Sequence, residues 1–477
     1  MVGQTNCDVC VIGAGAAGLS VAAGTARFGL RTVLIERARM GGECLNTGCV
    51  PSKALLSAAK AAHQRETFRP PGSLELTSGP IDFAGVKDGV QAVIDAIAPH
   101  DSAERFEAMG VAVIADTAQF VDARTLKAGQ RRITARWFVI ATGSMAVIPA
   151  IPGLDASKVL TNDSIFQLRE RPDHLVIIGA GPIGVEMAIA HRRLGCQVTV
   201  IDRASMLVND EPELVAMLRD RMQQDGITLV EGADLIAVDH RKDGLAVSLD
   251  LGGARQTITC SHVFVAAGRS PVVDGLGLEA AGVSYDRKGI AVDRRLRTSQ
   301  RHIFALGDVI DGPRFTHVAG HQAGVVVRNL AFRLPAKVNY DALPWVTFSD
   351  PELAHVGLTE ARARREMDGD VAVQFVRLEK NDRAVAEHRT NGAIKVVTGR
   401  GGRILGASIL APAAGEMIGL WCLAVQRRMT MKAISDLMLP YPTMGEIAKA
   451  AAGQHFEPIV FGAKVRTFVR ALRWLPI

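Results

Sequence analysis

The chain has 477 residues, 48% hydrophobic and 22% charged, so it exceeds a single core and reads as about three domains of a soluble globular protein. Aromatic residues make up only 5%, which offers no stacking platform for nucleic acid, and seven cysteines are too few and odd in number for a secreted disulfide scaffold. Of the net charge of +6, Lys464, Arg466, Arg470 and Arg473 supply four, so the rest is nearly balanced and no nucleic-acid partner is expected.

Residues 9–26 carry no charge and are long enough to be mistaken for a membrane span. Gly13, Gly15, Gly18, Ser20 and Gly24 interrupt them in the spacing of a phosphate-binding turn and helix, and no basic segment precedes them as in a signal peptide. The segment reads as a buried strand, a glycine turn and a helix, followed by a second strand TVLIE ending in Glu36. A cytoplasmic location is expected.

Eight residues after Glu36 comes Cys44, in GGECLNTGCVPSK (41–53), with Cys49 five positions later and an apolar-periodic helix following, Pro51 suiting its first turn. Thiols near a helix N-terminus have a lowered pKa because the helix end stabilises thiolate. Gly41, Gly42 and Gly48 allow the close backbone approach that a planar ring needs. A pair of inert core cysteines is the competing reading. Cys7 and Cys10 also have CxxC spacing, but on the first strand residues three apart point to opposite faces, so both are expected to be core. Cys196, Cys260 and Cys422 are isolated in apolar segments and read the same way.

The first turn returns 166 residues later: VCVIGAGAAG (9–18) matches VIIGAGPIG (176–184). Gly13, Gly15 and Gly18 fall on Gly179, Gly181 and Gly184, and Glu36 falls on Asp202 at the end of VTVID. The first glycine permits the turn, the second lets backbone approach a pyrophosphate, and the third packs helix on strand. The terminal acid accepts hydrogen bonds from a ribose diol. One such motif is weak; two with equal spacing imply two dinucleotides. Electrons passing from a nicotinamide to sulfur need an intermediary, and a flavin serves. Because the cysteine segment leads out of the first copy, that copy is expected to hold FAD and the second NAD(P)H.

GGECLNTGCVPSK resembles the redox motif of the class I pyridine nucleotide–disulfide oxidoreductases, which include dihydrolipoamide dehydrogenase, glutathione reductase and mercuric reductase. The likeness runs along nearly the whole chain. FVIATGS (138–144) and IFALGDV (303–309) resemble two further FAD-contacting strands, FVAAGRSP (264–271) the exit from the nicotinamide domain, and VTFSDPELAHVGLTE (346–360) with GGRILGASILAPAAGEMI (401–418) the dimerisation domain. The resemblance implies FAD contacts from Gly13, Gly15, Ala17, Gly18, Glu36, Gly42, Lys53, Ala141, Thr142, Gly143, Gly307 and Asp308, the last on the ribityl hydroxyls. It implies nicotinamide-dinucleotide contacts from Gly179, Gly181, Ile183, Gly184, Glu186, Asp202, Arg203 and Gly268. Cys49 would be the sulfur against the flavin, forming the thiolate–flavin charge-transfer state, and Cys44 the outer thiol that meets the acceptor. Lys53 would pair with Glu186; without the family match, both would read as a solvated helix face. Asp202 favours NADH over NADPH by repelling a 2′-phosphate, with Arg203 opposing it.

Near the C-terminus the family's disulfide reductases carry His-Pro-Thr-x-x-Glu, contributed by the partner subunit; here the segment runs Tyr441-Pro442-Thr443-Met444-Gly445-Glu446. Tyr has a pKa of about 10 against about 6.5 for His, so deprotonating it at neutral pH costs about 5 kcal/mol more. Tyr441 can donate a proton but is a poor base, which puts dihydrolipoamide oxidation in doubt. Mercuric reductases share the tyrosine but add a C-terminal Cys-Cys pair, and no cysteine follows Cys422 here. His388 and His355 read as structural or surface groups, and no metal site is expected.

In the tail, Val465, Phe468, Val469 and Leu472 fall on one helical face and Arg466, Arg470 and Arg473 on another. This fits a helix packed on the protein's own surface, or a peripheral contact with anionic lipid or a membrane-bound partner. The expected fold is two Rossmann-like α/β domains plus a C-terminal α+β dimerisation domain. FAD would be held by 1–147 with a central segment 271–340, NAD(P)H by 148–270, and the homodimer by 341–477. Three functions fit: reduction of a small disulfide, reduction of metal ions or quinones, and electron transfer within a larger membrane-associated assembly.

Overall fold

The computed structural model describes residues 3–67, 79–155, 157–242, 244–367 and 369–474. They divide into two compact units: Met1–Gly179, Ala190–Ile201 and Ala233–Asn339 in the first, and Ala180–Ile189, Asp202–Gly232 and Tyr340–Ile477 in the second.

Strand Gly3–Ile12 is the hub of the first unit. Val9, Cys10, Val11 and Ile12 are buried, as an uninterrupted apolar run implies for a parallel strand with neighbours on both edges. It pairs in parallel with Thr32–Glu36, Val9 opposite Thr32, and with Arg131–Ile140, Val9 opposite Trp137. Across the sheet the order is Val111–Ala115, Thr32–Glu36, Gly3–Ile12, Arg131–Ile140, Thr125–Ala128, Ala118–Asp122. Strand Ile303–Ala305 also joins Arg131–Ile140 in parallel, which returns a segment from late in the chain to the first glycine turn. Helices Ala16–Arg27 and Thr316–Ala331 lie close enough that a Cβ on Gly24 would stand 2.8 Å from Val327 Cγ2.

The second copy of the repeat is built the same way. Strand His174–Ile178 pairs in parallel with Gln197–Asp202 on one edge and His262–Val265 on the other. The first unit also contains an antiparallel meander, Asp234–Arg241, Gly244–Leu251 and Ala254–Cys260.

The second unit contains a five-stranded antiparallel sheet, in the order Pro344–Thr347, Glu352–Gly357, Ile404–Ala411, Ala393–Thr398, Ala372–Arg377. Helices Ala414–Gln426 and Ile447–Val460 cover it, and Trp421, Ile409, Val396 and Ala451 share its core. Lys395, on a central strand and only 3% exposed at its side chain, is held by Glu211 at 2.8 Å, Glu213 at 2.9 Å and Glu360 at 2.8 Å. Helix Ala463–Leu472 comes late in this unit, and none of its residues is buried. Val465 is half-buried and the other residues of the helix are exposed, so most of its apolar face is left open among the described residues.

Cys7 and Cys10 are both buried in the core of the first unit, as expected for residues of the first strand, and Cys7 Sγ lies 3.8 Å from the Thr134 carbonyl oxygen.

Candidate redox site

The two glycine turns share one hydrogen-bond pattern. In the first, Gly13 N–H donates to the Ile35 carbonyl at 2.8 Å, Ala14 N–H to Glu36 Oε2 at 2.7 Å, and Ala38 N–H to Glu36 Oε1 at 2.8 Å. In the second, Gly179 N–H donates to the Ile201 carbonyl at 2.8 Å, Ala180 N–H to Asp202 Oδ2 at 2.6 Å, and Ala204 N–H to Asp202 Oδ1 at 2.8 Å. Each carboxylate is thereby fixed at the lip of its turn. Gly13 has φ +101° and Gly179 φ +110°, and a Cβ on either would run into the carbonyl of the residue just past a neighbouring strand, Ala141 or Ala266.

The first turn fits the pyrophosphate of a flavin dinucleotide. Helix Ala16–Arg27 starts at Gly15 without a side-chain cap or an acidic residue in its first turn, leaving its N–H groups and dipole to an anion. A Cβ on Gly42, at φ +59°, would stand 2.6 Å from Gly15 Cα, so the cysteine segment lies directly against this turn. Gly307, at φ +76°, brings Asp308 to the same place: a Cβ there would be 3.3 Å from the Ala17 Cβ. At the second turn Gly181 faces open space and Ile183 and Arg203 are exposed, which leaves room for a nucleotide.

Cys44 sits in the short helix Gly42–Asn46 and Cys49 is the first residue of helix Cys49–Thr67, at the positive end of its dipole. Cys44 is half-buried and Cys49 exposed. Thr316 Oγ1 bridges them, 3.3 Å from Cys49 Sγ and 3.4 Å from Cys44 Sγ. The Cys44 thiol is pushed far above its ordinary pKa by its hydrogen bond with Cys49 and then by burial, so it is the member that keeps its proton. Asn46 Nδ2 braces the loop by donating to the carbonyls of Met40 at 3.0 Å and Gly42 at 2.7 Å. Lys53 follows Cys49 by one helical turn on the same face and is half-buried.

Between the cysteines and the Asp308 turn runs a polar network. Arg269 is ion-paired with Glu43, and its Nε donates to Ser144 Oγ at 2.8 Å, which in turn donates to Asp308 Oδ2 at 2.7 Å. Asn162 Nδ2 donates to Glu43 at 3.1 Å. Burial pushes the Glu43 carboxyl up to about 7, against the pull of Arg269. Thr142 Oγ1 donates to the Val272 carbonyl at 2.7 Å, holding Gly143 (φ +71°) beside Gly268 (φ +119°), since Val147 N–H bonds the Gly268 carbonyl at 3.0 Å. Thr316, Arg269, Ser144 and Glu43 were not singled out from the sequence. Glu43, Ser144 and Arg269 stand inside quoted motifs, and that is the signal that marks them. Thr316 lies 272 residues from Cys44, and no local pattern points to it.

The remaining candidates belong to the second unit. Glu186 is buried and accepts from Phe348 N–H at 3.0 Å. Tyr441 is 69% exposed, and its hydroxyl donates to Asp382 Oδ2 at 2.9 Å. That bond, and the Asp382 charge, raise the phenol above its ordinary pKa. Glu446 ends the turn Met444–Glu446 and is half-buried.

Two dinucleotide turns with fixed carboxylates, and a dithiol packed on the first of them, define a flavin- and nicotinamide-linked thiol oxidoreductase. Residues 7–323 match the family model for pyridine nucleotide-disulphide oxidoreductases, and residues 343–452 match that family's dimerisation domain. Mercuric reductase of Staphylococcus aureus is 33% identical, across 93% of this chain and 82% of the relative. Dihydrolipoyl dehydrogenase of Geobacillus stearothermophilus is 34% identical, across 93% of this chain and 95% of the relative. Among solved structures, the Cu(II) complex of the HOCl-induced flavoprotein disulfide reductase RclA from Escherichia coli superposes with a TM-score of 0.84 at 26% identity, covering 93% of this chain and 99% of that one. The chain belongs to the pyridine nucleotide–disulfide oxidoreductase family, whose members depend on FAD and use NAD(P)H. Its fold class, redox disulfide centre and homodimeric assembly follow from that membership.

Proposed function

We propose that the chain reduces a small disulfide with electrons from NADH. The observation that carries this reading is the Cys44, Cys49 and Thr316 cluster at a helix N-terminus, packed against the first dinucleotide turn. FAD would be held by the Gly13–Gly18 turn, Glu36, Gly42 and Asp308, and would supply two-electron transfer from the nicotinamide to sulfur. The chain's own groups then act on the acceptor. Cys44 Sγ attacks one sulfur of the acceptor, giving up its proton, and the first thiolate leaves and is protonated. Cys49 Sγ attacks Cys44, closing the intramolecular disulfide and releasing the second thiolate. Two protons leave with two thiols, so the dithiol is oxidised and the acceptor reduced. Tyr441 is proposed as proton donor to the leaving thiolate, its raised pKa making it a donor at neutral pH and never a base. Asp202, oriented by Ala180 and Ala204, supports the preference for NADH.

A second reading, reduction of a soft metal ion, is favoured by the mercuric reductases among the relatives, since two thiols suit such ions. NAD(P)H oxidation by the holoenzyme, assayed with lipoamide, other small disulfides, a quinone, Hg(II) and Cu(II), tests both. The disulfide reading expects kcat/KM to be highest for a disulfide. Turnover with metal ions and none with any disulfide would overturn it.

A further inference from the structure

Helix Ala463–Leu472 is amphipathic, and on its apolar side Val465 is half-buried while Phe468, Val469 and Leu472 are exposed. Phe468 is 63% exposed and Val469 and Leu472 are exposed beside it, with Phe461 preceding the helix and Trp474, 90% exposed, following it. At 100° per residue, Val465, Phe468, Val469 and Leu472 fall within one sector of the helix, and Arg466, Arg470 and Arg473 within the next. Lys464 flanks the apolar sector on its other side. The segment has no acidic residue after Glu457, so its four cations have no local counter-charge.

We propose that this helix lies on an anionic phospholipid surface, its Phe468 side among the acyl chains and its arginines among the headgroups. Three features favour lipid over the second copy of the chain. The family's dimerisation match ends at residue 452, before the helix begins. Four unopposed cations complement a uniformly negative surface. Exposed aromatic residues at both ends, Phe461 and Trp474, suit the boundary between headgroup and hydrocarbon. Among the described residues no helix is long and apolar enough to cross a membrane, so the contact is peripheral. The helix is about 15 Å long at 1.5 Å per residue, enough to lie flat as a single anchor on each protomer.

The test uses the full-length holoenzyme and two sets of vesicles, phosphatidylcholine alone and phosphatidylcholine enriched in phosphatidylglycerol. The expected result is co-sedimentation with the anionic vesicles only, reversed by salt. The triple variant R466E/R470E/R473E should lower the partition coefficient about a hundred-fold or more, each lost cation contributing about five-fold. Phe468→Ser with Leu472→Ser should abolish binding even at low salt, while dimer mass and NAD(P)H oxidation stay unchanged in both variants. Failure of the unmodified enzyme to bind anionic vesicles overturns the proposal. So does dissociation of the dimer in either variant, which would show that the second copy covers this face.

Discussion

Cys44 and Cys49 share one threonine hydroxyl, yet their surroundings assign them different work. Cys44 keeps its proton, so the first negative charge in the reduced pair is expected on the sulfur at the helix N-terminus. Cys44→Ser should therefore retain the long-wavelength absorbance between thiolate and flavin, and Cys49→Ser should lose it; an unchanged band in Cys49→Ser sinks the assignment. Thr316→Val should weaken acceptor reduction without changing flavin content. Tyr441→Phe should slow acceptor reduction several-fold while sparing reduction by NADH. Stopped-flow measurement of the two half-reactions separates these, and rapid dihydrolipoamide oxidation at pH 7 by the unmodified enzyme would contradict the donor-only role. His355 belongs to stability instead. Burial lowers its pKa to about 4, with Nδ1 2.6 Å from Ser408 Oγ and Nε2 3.1 Å from the Gly357 carbonyl. Between pH 6.5 and 4 the unfolded chain takes up a proton that the folded chain refuses. Stability is thus full above pH 6.5 and falls by about 3 kcal/mol as pH drops through that window. His355→Gln should flatten that dependence in thermal melts.

At the scale of elements, the turns and the cysteine loop were legible because their constraints are local. A positive φ, a helix N-terminus and a carboxylate at a strand end each leave a mark within some 25 residues, and the spacing of Gly13 to Glu36 repeats at Gly179 to Asp202. What was illegible is held by partners far apart in the chain. Thr316 over the cysteines, Arg269 between Glu43 and Ser144, and the Lys395 cluster are all made by topology. Strand Ala393–Thr398 gives the sharpest test at this scale. Lys395→Met should destabilise by about 3 kcal/mol, because it leaves the buried Glu211 without its counter-charge. Adding Glu211→Gln should recover part of the lost melting temperature, and no recovery would mean that the loss is packing alone.

For the whole molecule, function is expected only from the dimer. Tyr441 and Met438, the latter 97% exposed in the single chain, lie in the segment matched to the family's dimerisation domain. Met438→Asp should weaken the dimer, and specific acceptor reduction should then fall with dilution while reduction by NADH does not. Sedimentation velocity across a concentration series reads the first effect and enzyme assays the second. A variant that stays dimeric and fully active would place Met438 outside the interface.

The contact between Gly42 and Gly15 also restricts how this protein can change over time. Most crowded pairs in a fold have an escape: a larger side chain on one side is accommodated by a smaller one on the other. Here the atom in the way is the Gly15 Cα itself, and no residue has fewer atoms to offer. A side chain at 42 therefore has no compensating partner, and it must displace the nucleotide turn or the cysteine loop. The restriction runs one way: a Cβ on Gly15 would meet Gly42 Cα only at 4.0 Å, so position 15 can vary, whereas a lineage that lost Gly42 would have to rebuild both segments.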